Sequence, residues 1–326
     1  MYEAKTSKSM KELVLGVDTS NYTTSLSLVC EGEVVANVRS LLPVGYGEKG
    51  LRQSDAVFLH TKALPDLSAE LFEKVNFDTE KIVSGGVSAK PRDAEGSYMP
   101  CFLAGMSFAS AVAHSNDIPL YAFSHQGGHI AAAVYSSGKE TGYFENSPFI
   151  SFHVSGGTTE ALLTQFDGDT YSCKIIGGTN DASCGQIIDR AGVSMGLSFP
   201  CGKELDALAQ NSTKKLPLTV SEKEGYFSMS GLENKVQKFL ADGEAKEDIA
   251  MFLFNSIASS LRKSSQNLRK VYGDLPIIYA GGVMSNSIIR RELSSLGNVY
   301  FASPALSCDN ACGTALLAYK KYMKGR

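Results

Sequence analysis

Leu13-Val14-Leu15-Gly16-Val17-Asp18, followed at once by Thr19-Ser20-Asn21, decides the reading of the chain. An unbroken apolar run that short, closed by small polar residues, predicts a strand buried on both faces. Residues 24–29 alternate and predict a second strand. Glu31-Gly32 predicts a tight turn, and residues 33–38 a third strand. The arrangement returns later: an apolar strand over 148–154, a Gly156-Gly157 turn, a strand over 159–164 and another over 173–176. The repeat is architectural and is not visible as sequence identity.

Outward from these two units, strands alternate with helices. Residues 54–75 predict a helix with Val57, Leu64, Leu67 and Leu71 on one side, 82–87 a strand, 102–113 an Ala-rich helix and 120–123 a strand. Residues 125–134, 187–195 and 204–209 predict helices, and 247–271 a long one with apolar residues near a four-residue step. Residues 276–280 predict a strand ending in Gly281-Gly282, with a helix from about 286 and a last strand over 299–302. A final helix spans 309–323, with Asp309 or Ser307 as its N-cap. Such alternation is α/β with mixed sheets. Residues 211–245 are polar and read as a surface insertion.

The chain has 326 residues, enough for two domains, and its 43% hydrophobic content supports a sizeable core. No apolar run reaches the roughly 20 residues that span a bilayer, and residues 1–11 lack the apolar core of a secretory signal, so a cytoplasmic chain without membrane attachment is expected. The net charge is -3, so any bound nucleic acid needs a local cationic patch or a partner. Seven scattered cysteines without CxxC spacing predict reduced thiols.

His125-Gln126-Gly127-Gly128-His129 is the sharpest local signal, since positions i and i+4 of a helix share a face and two imidazoles there can reach one cation. A third ligand is needed. His153, at the end of a strand, and Asp309, at a helix start, are candidates, although a histidine there commonly packs and an aspartate there commonly caps. Gly-rich turns follow strands at Ser155-Gly156-Gly157, Cys201-Gly202 and Gly281-Gly282, where backbone N–H groups can cradle phosphate. Two strand–turn–strand units with hydroxyl-rich turns suit a nucleotide clamp between two like domains.

Several stretches in one order, VLGVDTS, SHQGGH, HVSGGTTE, IIDRAGVSMGLSFPCG, FSMSGL, AGGVMSNSIIRREL and CDNACGTALLA, resemble the TsaD/KEOPS catalytic-subunit family, formerly catalogued as O-sialoglycoprotein endopeptidases. The resemblance spans about residues 12–322. It implies two actin/hexokinase-like (ASKHA) domains with mixed central sheets and flanking helices. The first would be residues 1–124 with helix 309–326 packing back, the second residues 125–308 with the insertion 211–245. It implies transfer of a threonylcarbamoyl group from threonylcarbamoyl-AMP to N6 of adenine 37 in tRNAs reading ANN codons. His125, His129 and Asp309 fall on the family's ligands for one divalent metal, iron or zinc, and His153 where some members place a ligating Tyr. His153, Val154, Ser155, Gly156, Gly157, Asp189, Gly202, Asp206 and Asn286 fall on adenylate and substrate contacts. Asp18 is a candidate general base. A TsaB-like subunit, an ATPase subunit and tRNA are the implied partners, with ATP or an adenylate as ligand, and the Ala/Ser/Gly-rich helix over residues 103–113 either serves such a contact or packs inside.

Departures are also present. Ser88-Ala89-Lys90-Pro91-Arg92-Asp93 stands where the family has Thr-x-Gly-Pro-Gly-Leu, which predicts an altered turn and a paralogous branch. Two other readings stay open: an ASKHA small-molecule kinase, and a nucleotide-binding scaffold without catalysis. Peptidase chemistry is disfavoured, because no Glu lies inside the HxxxH.

Overall fold

The computed structural model describes residues 10–20, 22–43, 51–218, 220–307 and 311–326. The chain divides into two compact units. One takes Met1–Ala132, Asp167–Ser172 and Asp309–Arg326, the other Ala133–Phe166 and Cys173–Cys308. The division falls inside the helix that starts at His125, and the hairpin tip 167–172 goes with the first unit.

The first unit runs β1 (Lys11–Ser20), β2 (Thr23–Cys30), β3 (Glu33–Leu41), α1 (Gln53–Phe72), β4 (Glu80–Lys90), α2 (Phe102–Asn116), β5 (Leu120–Ser124) and the start of α3 (His125–Ser136). Its sheet has the order β3-β2-β1-β4-β5. β1 pairs antiparallel with β2 and parallel with β4, which places it between two neighbours and explains its unbroken apolar run. Leu13, Leu15 and Val17 join Leu26, Leu28, Leu67 and Leu71 in one core cluster.

The second unit continues with α4 (Thr141–Glu145), a short helix not anticipated, then β6 (Phe149–Val154), β7 (Thr159–Phe166), β8 (Tyr171–Thr179), α5 (Cys184–Ser194) and α6 (Gly202–Ala209). It goes on through β9 (Glu222–Lys223), β10 (Tyr226–Phe227), α7 (Ser230–Ala241), α8 (Lys246–Tyr272), β11 (Ile277–Ala280), a 3-10 turn, α9 (Ser287–Ser294) and β12 (Val299–Phe301). The sheet order is β12-β11-β6-β7-β8-β10-β9. Read as β8-β7-β6-β11-β12, it repeats the order of the first sheet, and β6 pairs antiparallel with β7 and parallel with β11 just as β1 pairs with β2 and β4. The architectural repeat expected from the two apolar openings is therefore present in the strand order.

The segment 211–245 is more than a surface insertion. β10 extends the sheet beside β8, and Phe227, Met229, Leu232 and Val236 are buried in the second core. Only Leu232 and Val236 of α7 are buried, among Lys and Glu, so the polar composition hid the apolar stripe. Asp248, at the start of α8, accepts hydrogen bonds from Ser212 Oγ (2.8 Å) and from the Thr213 and Lys214 N–H groups (2.9 Å each), which ties the preceding loop down. On α8 the residues Ile249, Leu253, Ile257, Leu261 and Leu268 are buried, as their spacing requires.

The last helix, α10 (Cys312–Lys324), returns to the first unit and packs on β1, β2 and β4. Two glycines permit the approach. A Cβ on Gly86 would lie 2.5 Å from the Thr314 carbonyl oxygen and 2.8 Å from Ala318 Cβ, and one on Gly16 would meet Ala311 O and Ala315. Ser307 does not cap this helix, since its Oγ donates to the Ser303 carbonyl at 2.7 Å, and Asp309 lies outside the described residues. No helix among the described residues is long and apolar enough to cross a membrane.

Replacing Gly86 with Ala is expected to destabilise the protein by about 1–3 kcal/mol, the usual cost of overpacking a tight core contact. Urea unfolding of wild type and variant checks it, with an unchanged midpoint contradicting the close approach of α10.

Candidate functional site

In the first unit, the polar end of β1 meets the start of α3. Asp18 is 1% exposed. Its Oδ1 accepts the Ser20 N–H at 2.9 Å, and its Oδ2 lies 2.8 Å from His125 Nδ1 and 2.5 Å from Ser88 Oγ at the end of β4. Burial by itself would raise the carboxyl's pKa. The charge and hydrogen bond of His125, with donors from Ser20 and Ser88, outweigh that and hold it below the ordinary value. Asp18 is thus an ionised, acceptor-only group at neutral pH.

The helix carrying the histidines starts without a gap after β5. Ser124 Oγ accepts the Gly127 N–H at 3.1 Å and donates to Asp93 at 2.8 Å, while the Gln126 N–H reaches the Pro91 carbonyl at 3.0 Å. Two of the open N–H groups of the first turn, those of Gln126 and Gly127, are satisfied in this way. The altered turn after β4 is therefore built into the helix start: Asp93 also pairs with Lys90 at 2.9 Å. His125 and His129 fall on one face of α3, with ring centroids 4.3 Å apart in an edge-to-face arrangement, and Phe102 lies 6.2 Å from the His125 ring.

The chemistry of this donor set fits a metal ion. Two imidazoles on one helix face suit a soft-to-borderline divalent cation, and a carboxylate on the Nδ1 side of a ligating histidine is the common outer-shell support. Among the described residues, no group of three His, Cys, Asp or Glu is arranged to hold a metal ion; Asp309 is outside them.

The second unit holds the Gly-rich turns. Ser155 N–H donates to the Thr158 carbonyl (2.7 Å), the Gly185 N–H to the Ser155 carbonyl (3.2 Å), and Ser183 Oγ to the Gly156 carbonyl (2.6 Å). Ser183 Oγ also caps α5 by accepting the Gln186 N–H at 3.3 Å. The turn is thereby clamped to a helix start, while a Cβ on Gly156 or Gly157 would meet nothing within 4 Å. One side of the turn is fixed and the other is open, which suits a backbone cradle for an anion. Val154 contributes its side chain to the core, so only its backbone is available there. His153 is half-buried on β6, opposite Glu160 on β7 and Ala280 on β11.

The remaining expected residues serve local structure too. Asp189 Oδ1 accepts the Cys201 N–H at 2.8 Å; burial pushes its carboxyl pKa up, and that hydrogen bond offsets part of the rise. The contact sets the start of α6, where Gly202 stands. Both oxygens of Asp206 are engaged with α9, Oδ1 with Ser287 Oγ (2.9 Å) and Oδ2 with the Ser287 N–H (3.0 Å). Asn286 caps α9 through Oδ1, which accepts the Ile289 N–H at 2.9 Å, but its Nδ2 is buried with no hydrogen-bond partner among the described residues. A buried amide donor left open costs free energy unless a ligand meets it.

The structure thus joins Asp18 to His125, the Ser155–Gly157 turn to α5, Asp189 to Cys201, and Asp206 to Ser287. Ser88, Thr314 and Ser183 were not singled out by their chemistry in the sequence. The available signal was a hydroxyl following the last apolar residue of the strand in Val87-Ser88. The basic C-terminal end is engaged within the chain: Lys321 and Lys324 reach Asp169 at 2.7 and 3.3 Å, and Arg326 reaches Glu12 at 2.5 Å.

Two sheets of one strand order, each opening with a polar turn, define an ASKHA protein. The solved structures that resemble it agree. They include component A of the Acidaminococcus fermentans (R)-2-hydroxyglutaryl-CoA dehydratase (TM-score 0.53, 18% identity, 97% of this chain and 100% of that one). A ROK family glucokinase from Streptomyces griseus also matches (TM-score 0.50, 12% identity, 94% and 99%). The chain belongs to the TsaD family, tRNA N6-adenosine threonylcarbamoyltransferase, whose profile matches residues 47–316. Among curated relatives, the tRNA N6-adenosine threonylcarbamoyltransferase of Thermosipho africanus (strain TCF52B) is 30% identical over 327 residues, covering 96% of this chain and 95% of its own.

With no ligand present, Asp206→Ala is expected to destabilise the protein by about 1 kcal/mol through loss of the acceptor at the start of α9. A urea midpoint equal to that of wild type would show that the contact to Ser287 contributes nothing.

Proposed function

We propose that this chain transfers a threonylcarbamoyl group from threonylcarbamoyl-AMP to N6 of adenine 37 in tRNAs that read ANN codons, with one divalent metal, iron or zinc, and with partner subunits. The observation that carries the reading is the His125–His129 pair backed by buried Asp18. It stands in a chain of the TsaD family.

In this reading His125, His129 and Asp309 hold the metal, with His153 as a further candidate ligand. When bound, the metal supplies Lewis-acid polarisation of the threonylcarbamoyl oxygens. Asp18 holds the His125 ring in one orientation, which fits a supporting role better than that of a general base, since its Oδ2 is already occupied. The N–H groups of the Ser155–Gly157 turn receive the phosphate. The open Nδ2 of Asn286 donates to the adenylate, Asp189 takes a ribose hydroxyl through its second oxygen, and Gly202 leaves room for the sugar. Asp206 acts at one remove, by fixing Asn286 and Ser287 at the start of α9.

The exocyclic amine of adenine attacks the carbamoyl carbon of the mixed anhydride. A C–N bond forms, the C–O bond to phosphate breaks, AMP leaves with the electron pair, and N6 releases one proton. The amine is a weak nucleophile, so holding it against the anhydride supplies most of the rate.

With a net charge of -3, this chain needs help in neutralising tRNA phosphates, which supports a multisubunit assembly. In the first unit, a groove of about 660 Å³ between α1 and α2, lined by Val57, Leu64, Leu103 and Phe108 among others, supports a TsaB-like subunit as the occupant of that face; an ATPase subunit completes the assembly.

Purified protein combined with such partners, threonylcarbamoyl-AMP and unmodified tRNA is expected to yield the modified nucleoside in a nucleoside digest. His125→Ala is expected to lower the rate by about 100-fold or more, given the usual value of a ligand in a catalytic metal site. No product with any partner combination would overturn the proposal. A second variant isolates the nucleotide contact. Asn286→Ser keeps an N-cap oxygen but removes the open amide, so adenylate affinity is expected to fall roughly 2- to 10-fold, while the urea midpoint changes by only a few tenths of a kcal/mol in stability. Isothermal titration with AMP or ADP checks it.

A further inference from the structure

Three segments far apart in sequence converge behind His125. Ser88 Oγ, at the end of β4, lies 2.5 Å from Asp18 Oδ2 and 3.2 Å from Thr314 Oγ1 in the first turn of α10. Ser88, Asp18 and Thr314 are each at most 1% exposed, so water does not substitute for these contacts. Their proton positions follow from counting. Asp18 is an acceptor only. Ser88 has a single O–H, and the short contact to the carboxylate takes it. Thr314 must then donate to Ser88. With Oδ2 accepting from both sides, His125 donates through Nδ1–H.

The same threonine also touches the histidine helix. A Cβ on Gly128, one residue before His129, would lie 2.9 Å from Thr314 Oγ1, and a Cβ on Gly313 would meet the Gly128 carbonyl oxygen. The start of α10 therefore bears on the His125–His129 turn twice, through backbone contact and through the chain Thr314–Ser88–Asp18–His125. Ser88 is also part of the stretch in which this chain departs from the family pattern it otherwise resembles.

We infer that Ser88, backed by Thr314, is a positioning residue for the metal-binding histidine pair: its hydroxyl fixes the Asp18 carboxylate, and through it the tautomer and ring orientation of His125. The inference rests on the reading of His125 and His129 as metal ligands. It adds two residues, from two further elements, that touch neither metal nor substrate. Removing the Ser88 hydroxyl leaves Asp18 with one donor fewer on Oδ2 and lets the carboxylate rotate. His125 then loses its fixed presentation, although its own side chain is untouched.

The test uses the full chain in four forms: wild type, Ser88→Ala, Ser88→Thr and Thr314→Val. Zn²⁺ affinity is read by competition with a chromophoric chelator, and Co²⁺ binding by visible absorption, which reports ligand geometry. Urea midpoints are measured without metal. Ser88→Ala is expected to weaken Zn²⁺ binding about 10-fold or more, the range for outer-shell partners of ligating histidines, and to alter the Co²⁺ spectrum. Ser88→Thr, which keeps the hydroxyl, is expected to restore both, and Thr314→Val to fall between. Unchanged affinity and an unchanged Co²⁺ spectrum in Ser88→Ala, with wild type binding both ions, would overturn the inference and leave the histidine-pair reading intact. Equal losses in Ser88→Ala and Ser88→Thr would overturn it as well, since the hydroxyl would not be the cause. If wild type takes up neither ion, the histidine-pair reading itself falls and the inference with it. If Ser88→Ala does not fold, Thr314→Val decides, and wild-type affinity there overturns the proposal.

Discussion

One ionised carboxylate in a dry interior sets the terms for the first unit. Asp18 lies two residues before the end of β1, and its two oxygens take donors from Ser20, from β4 and from α3. A buried carboxylate that lost these partners would be strongly unfavourable. The elements that supply them are therefore held in register by the same contacts that orient His125. The glycines of β1 and β4 belong to the same constraint. Only because Gly16 and Gly86 carry no side chain can α10 lie flat on the strands and bring Thr314 to Ser88.

The second unit applies a different economy. Its helix starts face the loops that follow strands, and the residues that cap those starts are the ones a nucleotide would meet. Ser183 caps α5 while holding the Gly156 carbonyl, and Asn286 caps α9 with its oxygen while its nitrogen meets no partner among the described residues. Asp206 and Asp189 do similar work at α9 and at the loop before α6. A cap that also presents a donor keeps a ligand site preorganised, because the side chain is already fixed before anything binds.

Much of this was legible beforehand, for physical reasons that differ from element to element. The run at residues 13–18 reads as a buried strand, and its return at 148–154 predicts a second strand–turn–strand opening; that the two sheets share a strand order is seen only in the structure. The i,i+4 histidines needed only a helix to come together, and α3 begins at the first of them. The segment 211–245 was misread, because Leu232 and Val236 are two buried positions in a charged stretch and too few to register as a periodic pattern.

Sequence alone determined the class of fold, the alternation of strands and helices outside 141–145 and 211–245, and the pairing of His125 with His129, since all of these follow from local periodicity. Tertiary structure decided which polar groups are partners. Nothing in the chain order relates Asp18 to Ser88, or Ser88 to Thr314, 226 positions away. A hydroxyl's hydrogen bond depends on distances set by the packing of β1, β4 and α10, and those distances exist only once the apolar faces and the glycine contacts have closed.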